Sequence, residues 1–333
     1  MLIIALVVTL LGPSPAQAQA TRVSLGTLAP RGSLYHQSLQ AMAEKWRQAP
    51  GGGVRLVIYP DGTQGGEADM VRLMRVGALQ AGLLTVVGLS EIERGVAGLQ
   101  DFPLAFRDFA EFDYVQEKLR PMMEKRLLDK GFVMLFWADA GWVRYFFKEK
   151  TLTPDEWKER KIFVWAGDTE QVDIMKELGY HPVPLETADI LTNLQTGLIN
   201  AVPSPPIFAA RTQFHTYAHH MLDLKWAILA GGLVVKRETW EKIPPATREV
   251  LLEAARQAGR EIQANGRKEG EESVAALQKR GLIVDTLTPE IEREWREEME
   301  RVYPKIRGRI VPADIFDEVQ RLLKEYRSGE GKR

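Results

Sequence analysis

The sequence predicts an α/β protein folded as a two-lobed clamp, with a hinge and a long helix linking the lobes. Three observations lead to this expectation. The chain has 333 residues, which is long for a single hydrophobic core. Apolar runs of strand length alternate with segments of helical periodicity, a pattern typical of sheets covered by helices. The alternation occurs in two successive blocks, and a helix-rich section follows them.

The composition is that of a folded protein, and it excludes several functions. Hydrophobic residues make up 45% of the chain and charged residues 27%. The 44 Lys and Arg residues are balanced by 45 Asp and Glu residues, so there is no basic field to attract nucleic acid. Cysteine is absent, which removes disulfides, thiolate nucleophiles, iron–sulfur clusters and cysteine-ligated zinc. We therefore expect neither a nucleic-acid partner nor a cofactor.

The N-terminal segment predicts export. Residues 2–11 form an apolar run that is too short to cross a bilayer, which takes about 20 residues. Proline and small residues follow, with Ala-x-Ala sites ending at Ala18 and Ala20. This layout is typical of a cleavable signal peptide over residues 1–20, although no Lys or Arg precedes the apolar run. We expect the mature protein in the periplasm.

The first block alternates strands and helices in the order expected for a mostly parallel sheet. Ser33 is a plausible N-cap for the first helix, in which Leu39, Met42 and Trp46 recur at helical spacing. Glycine-rich corners separate the later elements. The predicted strands are 22–28, 54–59, 82–88 and 131–137, and the predicted helices are 33–48, 67–76 and 110–129.

A second block runs from about 141 to 228. Its strand 161–165 leads into a helix over 168–178, and Thr187 opens the next helix. In the final section, apolar residues share one face over 246–264 and again over 289–302. We expect the first of these helices to cross between the lobes, and a ligand to lie between them at the carboxyl ends of the strands.

Signatures of common enzymes are absent or weak. No glycine-rich nucleotide motif, serine-hydrolase elbow or HExxH zinc motif occurs. His215 and His219 are four residues apart and could share a helix face, with Asp223 nearby, but zinc requires a fuller ligand set. A surface helix end is the simpler interpretation. We expect no metal and no catalytic residue, and a two-domain periplasmic enzyme remains an alternative.

Six segments, in register over nearly the whole mature chain, resemble the DctP-type extracytoplasmic binding proteins of TRAP transporters. They are LGTLAPRGS (25–33), YPDGTQGGEADMVRLMRVG (59–77), LQDFPLAFRDFAEF (99–112), GWVRYFFKEKTLTPDEWKERKIFVWAGD (141–168), LETADILTNLQTGLINAV (185–202) and KRETWEKIPPATREVLLEAA (236–255).

The resemblance implies a periplasmic-binding-protein-like fold that captures a small organic ligand and passes it to the membrane permease subunits of an ion-coupled transporter. It also implies two discontinuous lobes. We expect lobe I over 21–140 and 229–270, lobe II over 141–228 and 271–327, and a flexible tail over 328–333. A monomer is expected, although the amphipathic segment 313–326 leaves a dimer open.

The chain departs from the family at the strand KIFVW. The family commonly places there an arginine that clamps a ligand carboxylate, and the matching position is Phe163. A proline-rich loop with Ser204 and Phe208 replaces a common family asparagine near Pro205. Both changes exchange a polar group for apolar surface, so we expect a ligand with a substantial hydrophobic part.

Other side chains are candidates for ligand contact, each with a simpler structural alternative. Arg144 resembles a second family arginine and could meet a carboxylate, or it could pair with an acid at a strand edge. Trp165 and Trp226 could floor the cleft or pack in the core. Ser33 and Glu67 could face the ligand or only begin helices. The predicted ligand-binding set is Arg144, Phe163, Trp165, Ser204, Phe208, Trp226, Ser33 and Glu67.

Three further functions remain open from the sequence. A receptor of an ABC transporter shares the clamp architecture. A periplasmic enzyme would show turnover that disappears when His215 or His219 is changed. A ligand-sensing or scaffold protein would present its cargo to another periplasmic partner.

Overall fold

The computed structural model describes residues 21–51 and 53–329, which form a mixed α/β fold with two lobes. The predicted signal peptide (1–20) and the last four residues of the predicted tail lie outside this part of the chain. The strands of the described residues are β1 (Thr21–Thr27), β2 (Val54–Tyr59), β3 (Ala81–Thr85), β4 (Phe132–Phe147), β5 (Lys161–Trp165), β6 (His181–Leu185), β7 (Ala201–Ser204), β8 (His220–Leu222), β9 (Ala227–Lys236) and β10 (Ile283–Asp285).

Helices cover these strands and follow them. They are α1 (Leu34–Arg47), α2 (Glu67–Arg75), α3 (Val86–Ser90), α4 (Phe109–Asp129), α5 (Pro154–Lys158), α6 (Thr169–Glu177), α7 (Ile190–Thr196), α8 (Pro206–Thr212), α9 (Arg237–Glu241), α10 (Pro245–Gln278), α11 (Pro289–Ile306) and α12 (Ala313–Ser328). Short 3-10 turns occur at Arg94–Leu99, Thr187–Asp189 and Phe214–Thr216.

The first lobe is built on the strand order β2-β1-β3-β9-β4. Strands β1, β2 and β3 are parallel, as the sequence predicts. The prediction of a mostly parallel sheet is wrong for the other half, because β9 runs antiparallel between β3 and β4. Gly231 and Gly232 of β9 permit this close pairing, because a Cβ on Gly231 would clash with the carbonyl oxygen of Leu84.

The second lobe is built on β4-β7-β5-β6, with β8 paired to β4 and β10 paired to β8. Strand β4 therefore belongs to both sheets. Its 16 residues are almost all buried, and a register irregularity between Asp139 and Trp142 redirects the strand. Gly141 lies at this point with φ of 78°, a conformation that favours glycine.

Helix α10 is longer than the sequence analysis predicts, with 34 residues instead of the segment 246–264. Alanine and glycine on its buried face let it approach β4 and α1 closely. A Cβ on Gly259 would lie 2.7 Å from the Phe136 ring. The helix also packs against α8 of the second lobe, so it links both lobes.

The predicted helix starts are mostly confirmed. Ser33 caps α1 by accepting a hydrogen bond from the backbone nitrogen of His36, and Thr288 caps α11 in the same way. The predicted strand 82–88 is partly wrong, because Thr85 ends β3 and caps α3. No helix among the described residues has the length and apolar character needed to cross a membrane.

Candidate binding cleft

A cavity of about 650 Å³ opens between the two lobes. Its walls come from segments at the carboxyl ends of β1 and β3 in the first sheet and of β5, β6 and β7 in the second. Ligands of α/β proteins bind at this edge, where the loops that follow the strands diverge. The volume is within the range of small-molecule sites, about 300–1,000 Å³.

Apolar side chains from both lobes form most of the cavity wall. Tyr35 of α1 and Phe208 of α8 both line the cavity, and their rings stack with centroids 5.8 Å apart. The aliphatic part of the wall comprises Leu28, Ala29, Leu83, Leu84, Ala138, Ala140, Ile190, Leu191, Leu229, Ala230 and Ile262.

Two polar oxygens in this wall have no partner among the described residues. Tyr35 is 6% exposed, and its hydroxyl oxygen is buried without a hydrogen bond. Burial, together with the neighbouring Asp139 and Glu269 carboxylates, raises the pKa of Tyr35, so the phenol keeps its proton and can donate. The hydroxyl of Thr187 is also buried and unpartnered. Buried polar atoms are usually hydrogen-bonded, so each of these two oxygens keeps an unused hydrogen-bonding capacity beside the cavity.

Five carboxylates line the cavity, and three of them are held by other groups of the protein. Glu67 accepts from the Thr85 backbone at 2.8 Å, the Thr85 hydroxyl at 2.6 Å and the Gly88 backbone at 2.9 Å. Burial raises the pKa of Glu67 in spite of these bonds. These contacts hold the turn between β3 and α3. Glu67 therefore lines the cavity, but its carboxylate is already used to hold this turn.

The second of these carboxylates, Asp139, is part of an ion-pair network behind the cavity. Its side chain is fully buried and accepts from Arg267 of α10 at 2.7 Å. The same guanidinium donates to Asp113 of α4 at 2.8 Å, and it lies over the Phe109 ring. Because two carboxylates surround Arg267, its charge is already balanced.

The other acids lie at the mouth of the cavity. Asp61 pairs with the exposed Arg31, whereas Glu186 and Asp189 form no ion pair within the described residues. Burial, followed by Asp69 and Asp189, raises the pKa of Glu186. The Glu186 carboxylate comes from the second lobe and lies against Gly66 of the first, where a Cβ would clash with it. The lobes are thus in direct contact at this point.

The cavity wall contains no cation. Within the described chain, none of the residues that line it is lysine, arginine or histidine. This departs from the expectation that an arginine meets the ligand.

Four of the eight predicted ligand-binding residues line the cavity, namely Glu67, Trp165, Ser204 and Phe208. Ser204 ends β7, and Trp165 ends β5, which places each at the edge where the lobes face one another. The other four predicted residues lie elsewhere.

Arg144 does not reach the cavity. It is 5% exposed and forms an ion pair with Asp223, which follows β8. Its neighbours are Phe109, Trp142 and Glu271. The correction has a simple cause, since a buried guanidinium needs a counter-charge and the chain supplies one nearby. Of the two sequence alternatives, pairing with an acid describes its position.

Phe163 and Trp165 share one side of β5, as predicted, but only Trp165 lines the cavity. Phe163 is fully buried, in contact with Trp165 at a centroid distance of 5.1 Å. It packs in the core of the second lobe with Phe146 and Leu194. The strand is buried from Ile162 to Val164 and becomes partly exposed at Trp165, its last residue.

Trp226 and Ser33 also lie outside the cavity. Trp226 packs edge to face against Tyr145 and Trp157, with centroids 5.0 and 5.1 Å away. Ser33 is buried as the cap of α1, so its hydroxyl is used by the helix. Both take the structural alternative.

The sequence analysis missed the two residues that carry the unpartnered hydroxyls. Tyr35 belongs to the apolar face of α1, which only indicated core packing. Thr187 was assigned as a helix start. Neither position carried a motif of its own. The strongest available clue was the resemblance of segment 185–202 to a binding-protein helix.

Of the two histidines that the sequence analysis considered as metal ligands, His215 is buried and His219 is exposed. His215 is buried, and its Nδ1 lies 3.0 Å from the carbonyl oxygen of Ala209. His220 pairs instead with Asp285 at 2.8 Å. No group of three potential metal-binding side chains occurs within 21–51 and 53–329.

Comparison with known proteins places these features in a family context. The model of the family "bacterial extracellular solute-binding protein, family 7" (DctP) matches residues 25–309. The C4-dicarboxylate-binding periplasmic protein DctP of Rhodobacter capsulatus is 22% identical over 278 residues, which is 81% of this chain and 81% of that protein.

Solved structures share the fold. A TRAP periplasmic solute-binding protein of Ralstonia eutropha with bound (S)-2-acetolactate has a TM-score of 0.83 at 20% identity, covering 91% of this chain and 99% of its own. A second, of Sulfurospirillum deleyianum with bound succinate, has a TM-score of 0.82 at 18% identity, covering 92% and 100%. At these identities the likeness concerns the fold.

Proposed function

We propose that this chain, which belongs to the DctP family of bacterial extracellular solute-binding proteins, is the solute receptor of a TRAP-type transporter. It binds a small organic solute in the cavity between its lobes and delivers it, without chemical turnover, to the permease subunits in the membrane. The observation that carries the proposal is the cavity of about 650 Å³ at the carboxyl ends of strands from both lobes.

The strand pairing supports a hinge between two discontinuous lobes. Residues 21–140 and 229–270 supply the first sheet and most of α10, and residues 141–228 and 271–327 supply the second sheet and the last helices. The chain crosses between them along β4, along the start of β9 and along α10. A ligand that touches both lobes would favour the closed form, because some of its contacts exist only there.

The family and the N-terminal segment together support a periplasmic location. Residues 1–20 have the layout of a cleavable signal peptide. The permease partner follows from the TRAP-type fold and is a proposal for this chain.

The cavity wall favours a solute with a large apolar part. Aliphatic side chains and the stacked pair Tyr35–Phe208 offer little surface to a strongly hydrated molecule. Tyr35 and Phe208 belong to different lobes, so a flat or aliphatic group beside this pair contacts both lobes at once.

A titration with the uncharged fluorophore N-phenyl-1-naphthylamine tests binding in the cavity. We expect a saturable rise in fluorescence with the wild-type protein. Leu191→Trp adds an indole to the cavity wall and weakens binding by about tenfold, because the added volume competes with the probe.

Leu198→Trp is the matched control. It makes the same exchange seven positions away at a side chain that is 47% exposed and does not line the cavity. Its affinity should equal that of the wild type. Absence of saturable binding, or an equal loss in both variants, contradicts the proposed site.

A further inference from the structure

We infer that the solute carries no carboxylate, and that the cavity selects an uncharged, largely apolar molecule whose acceptor oxygen receives a hydrogen bond from Tyr35. This inference rests on the proposed function, because it concerns the ligand of the same cavity. It differs from what the structural neighbours bind, since succinate and acetolactate are carboxylates.

The described cavity wall offers no positive charge to balance an anion. A carboxylate that leaves water for an apolar wall loses its hydration, and only a cation or several donors can replace it. Among the described residues that line the cavity there is no lysine, arginine or histidine. An anion in this cavity would therefore lack its usual partner.

Guanidinium groups near the cavity are already paired with acids. Arg267 lies between Asp139 and Asp113, and Arg144 is bound to Asp223. Arg31 faces solvent at the rim and pairs with Asp61. Recruiting Arg144 or Arg267 to a ligand would compete with an existing ion pair.

The electrostatic field at the cavity mouth is negative. Glu186 and Asp189 line the cavity without an ion-pair partner in the described part of the chain. The two carboxylates interact strongly enough that Asp189 helps to raise the pKa of Glu186. Their combined potential opposes the entry of an anion.

The Tyr35 hydroxyl indicates what the cavity accepts instead. It is buried, unpartnered in the described structure and part of a ring that stacks on Phe208. Since the phenol stays protonated, it donates to a carbonyl, ether or hydroxyl oxygen. A neutral acceptor satisfies this donor without the desolvation cost of an anion.

A matched pair of ligands tests the inference. The probes are 4-phenylbutyramide and 4-phenylbutyrate, which share one skeleton and differ in charge at neutral pH. We expect the amide to displace N-phenyl-1-naphthylamine from the wild-type protein at a concentration at least about tenfold lower than the carboxylate.

Tyr35→Phe tests the donor, because it keeps the stacked ring and removes only the hydroxyl. The amide should lose about fivefold in affinity, whereas N-phenyl-1-naphthylamine, which offers no acceptor oxygen, should lose less than the amide does. An unchanged amide affinity would overturn the role given to Tyr35.

Equal or tighter binding of 4-phenylbutyrate would overturn the charge selectivity while leaving the cavity as the binding site. If the fluorophore does not bind, or if Leu191→Trp does not weaken its binding, the proposed function itself is contradicted. The two failures are therefore distinguishable.

Discussion

Two regions that meet at β4 differ in the charged side chains that they contain. On one side, the cavity wall has no cation among the described residues, and its polar atoms include two unpartnered hydroxyls. On the other, Arg144 and Arg267, which we call the hinge arginines, are largely buried, and each forms an ion pair with an acid. Both arginines are paired with acids of the protein, and neither of them lines the cavity.

This contrast separates stability from specificity. Substitutions of the hinge arginines should lower the free energy of unfolding and leave solute affinity nearly unchanged. Substitutions in the cavity wall should do the reverse. Each prediction below tests one side of this division.

The largest effect is expected for Arg267→Ala. It leaves Asp139 buried without a counter-charge, and loss of one partner of a buried pair costs about 3–5 kcal/mol of unfolding free energy. Chemical denaturation measures this directly.

Arg260→Ala is the control for Arg267→Ala, since it lies on the same helix α10 and pairs with Glu253 in the solvent. Exposed pairs of this kind contribute less than about 1 kcal/mol. Similar losses in the two variants would show that Arg267 does not hold the network.

A smaller effect is expected for Arg144→Ala. Its partner Asp223 is about half exposed and can be hydrated once the arginine is gone, so the loss should be about 1–2 kcal/mol. Affinity for N-phenyl-1-naphthylamine, measured by the same titration, should stay within about twofold of the wild type.

A large loss of affinity in Arg144→Ala, with stability unchanged, would instead support the ligand contact that the sequence analysis considered. Such a result would also remove the contrast between the two regions. The variant therefore tests both interpretations of this residue.

The smallest effect concerns Asp101 and Asp168, two acids of different lobes that interact with one another. Burial raises the pKa of Asp168 to about 6, with Glu91 and Glu170 adding to the shift. Burial and the Asp168 carboxylate raise the pKa of Asp101 from the other lobe. The folded protein therefore holds protons that the unfolded chain has already released.

The sign follows from this difference. The contribution of these groups to stability is greatest below about pH 4 and falls as pH rises through about 6. Between pH 5 and 7.5 the loss from Asp168 is on the order of 1–2 kcal/mol. Asp168→Asn should flatten the dependence measured by calorimetry between pH 5 and 7.5, and asparagine preserves the cap of α6. An unchanged slope in this variant would exclude the acid pair as its source.

Much of the fold could be predicted from the sequence, because its elements are encoded locally. The spacing of Leu39, Met42 and Trp46 marks α1, and Ser33 marks its start. The position of β9 could not be predicted in this way. Strand pairing is set by contacts between distant segments, and the approach of Gly231 to Leu84 appears only in three dimensions.

The site was predicted less well than the fold, for a physical reason. Trp165 and Phe163 have the same strand periodicity, and the point at which β5 leaves the core decides which of them reaches the cavity. The role of Arg144 could not be predicted without its counter-ion, because Asp223 lies 79 residues away in sequence. The partners of a charged group decide its role, and they are non-local.

The most direct test of the account is the identity of the natural solute. Protein purified from its native host can be unfolded, and the released molecule identified by mass spectrometry. The account predicts an uncharged, largely apolar compound with an acceptor oxygen, present in the wild type and depleted in Leu191→Trp. Recovery of a carboxylate such as succinate, bound in both proteins, would contradict it.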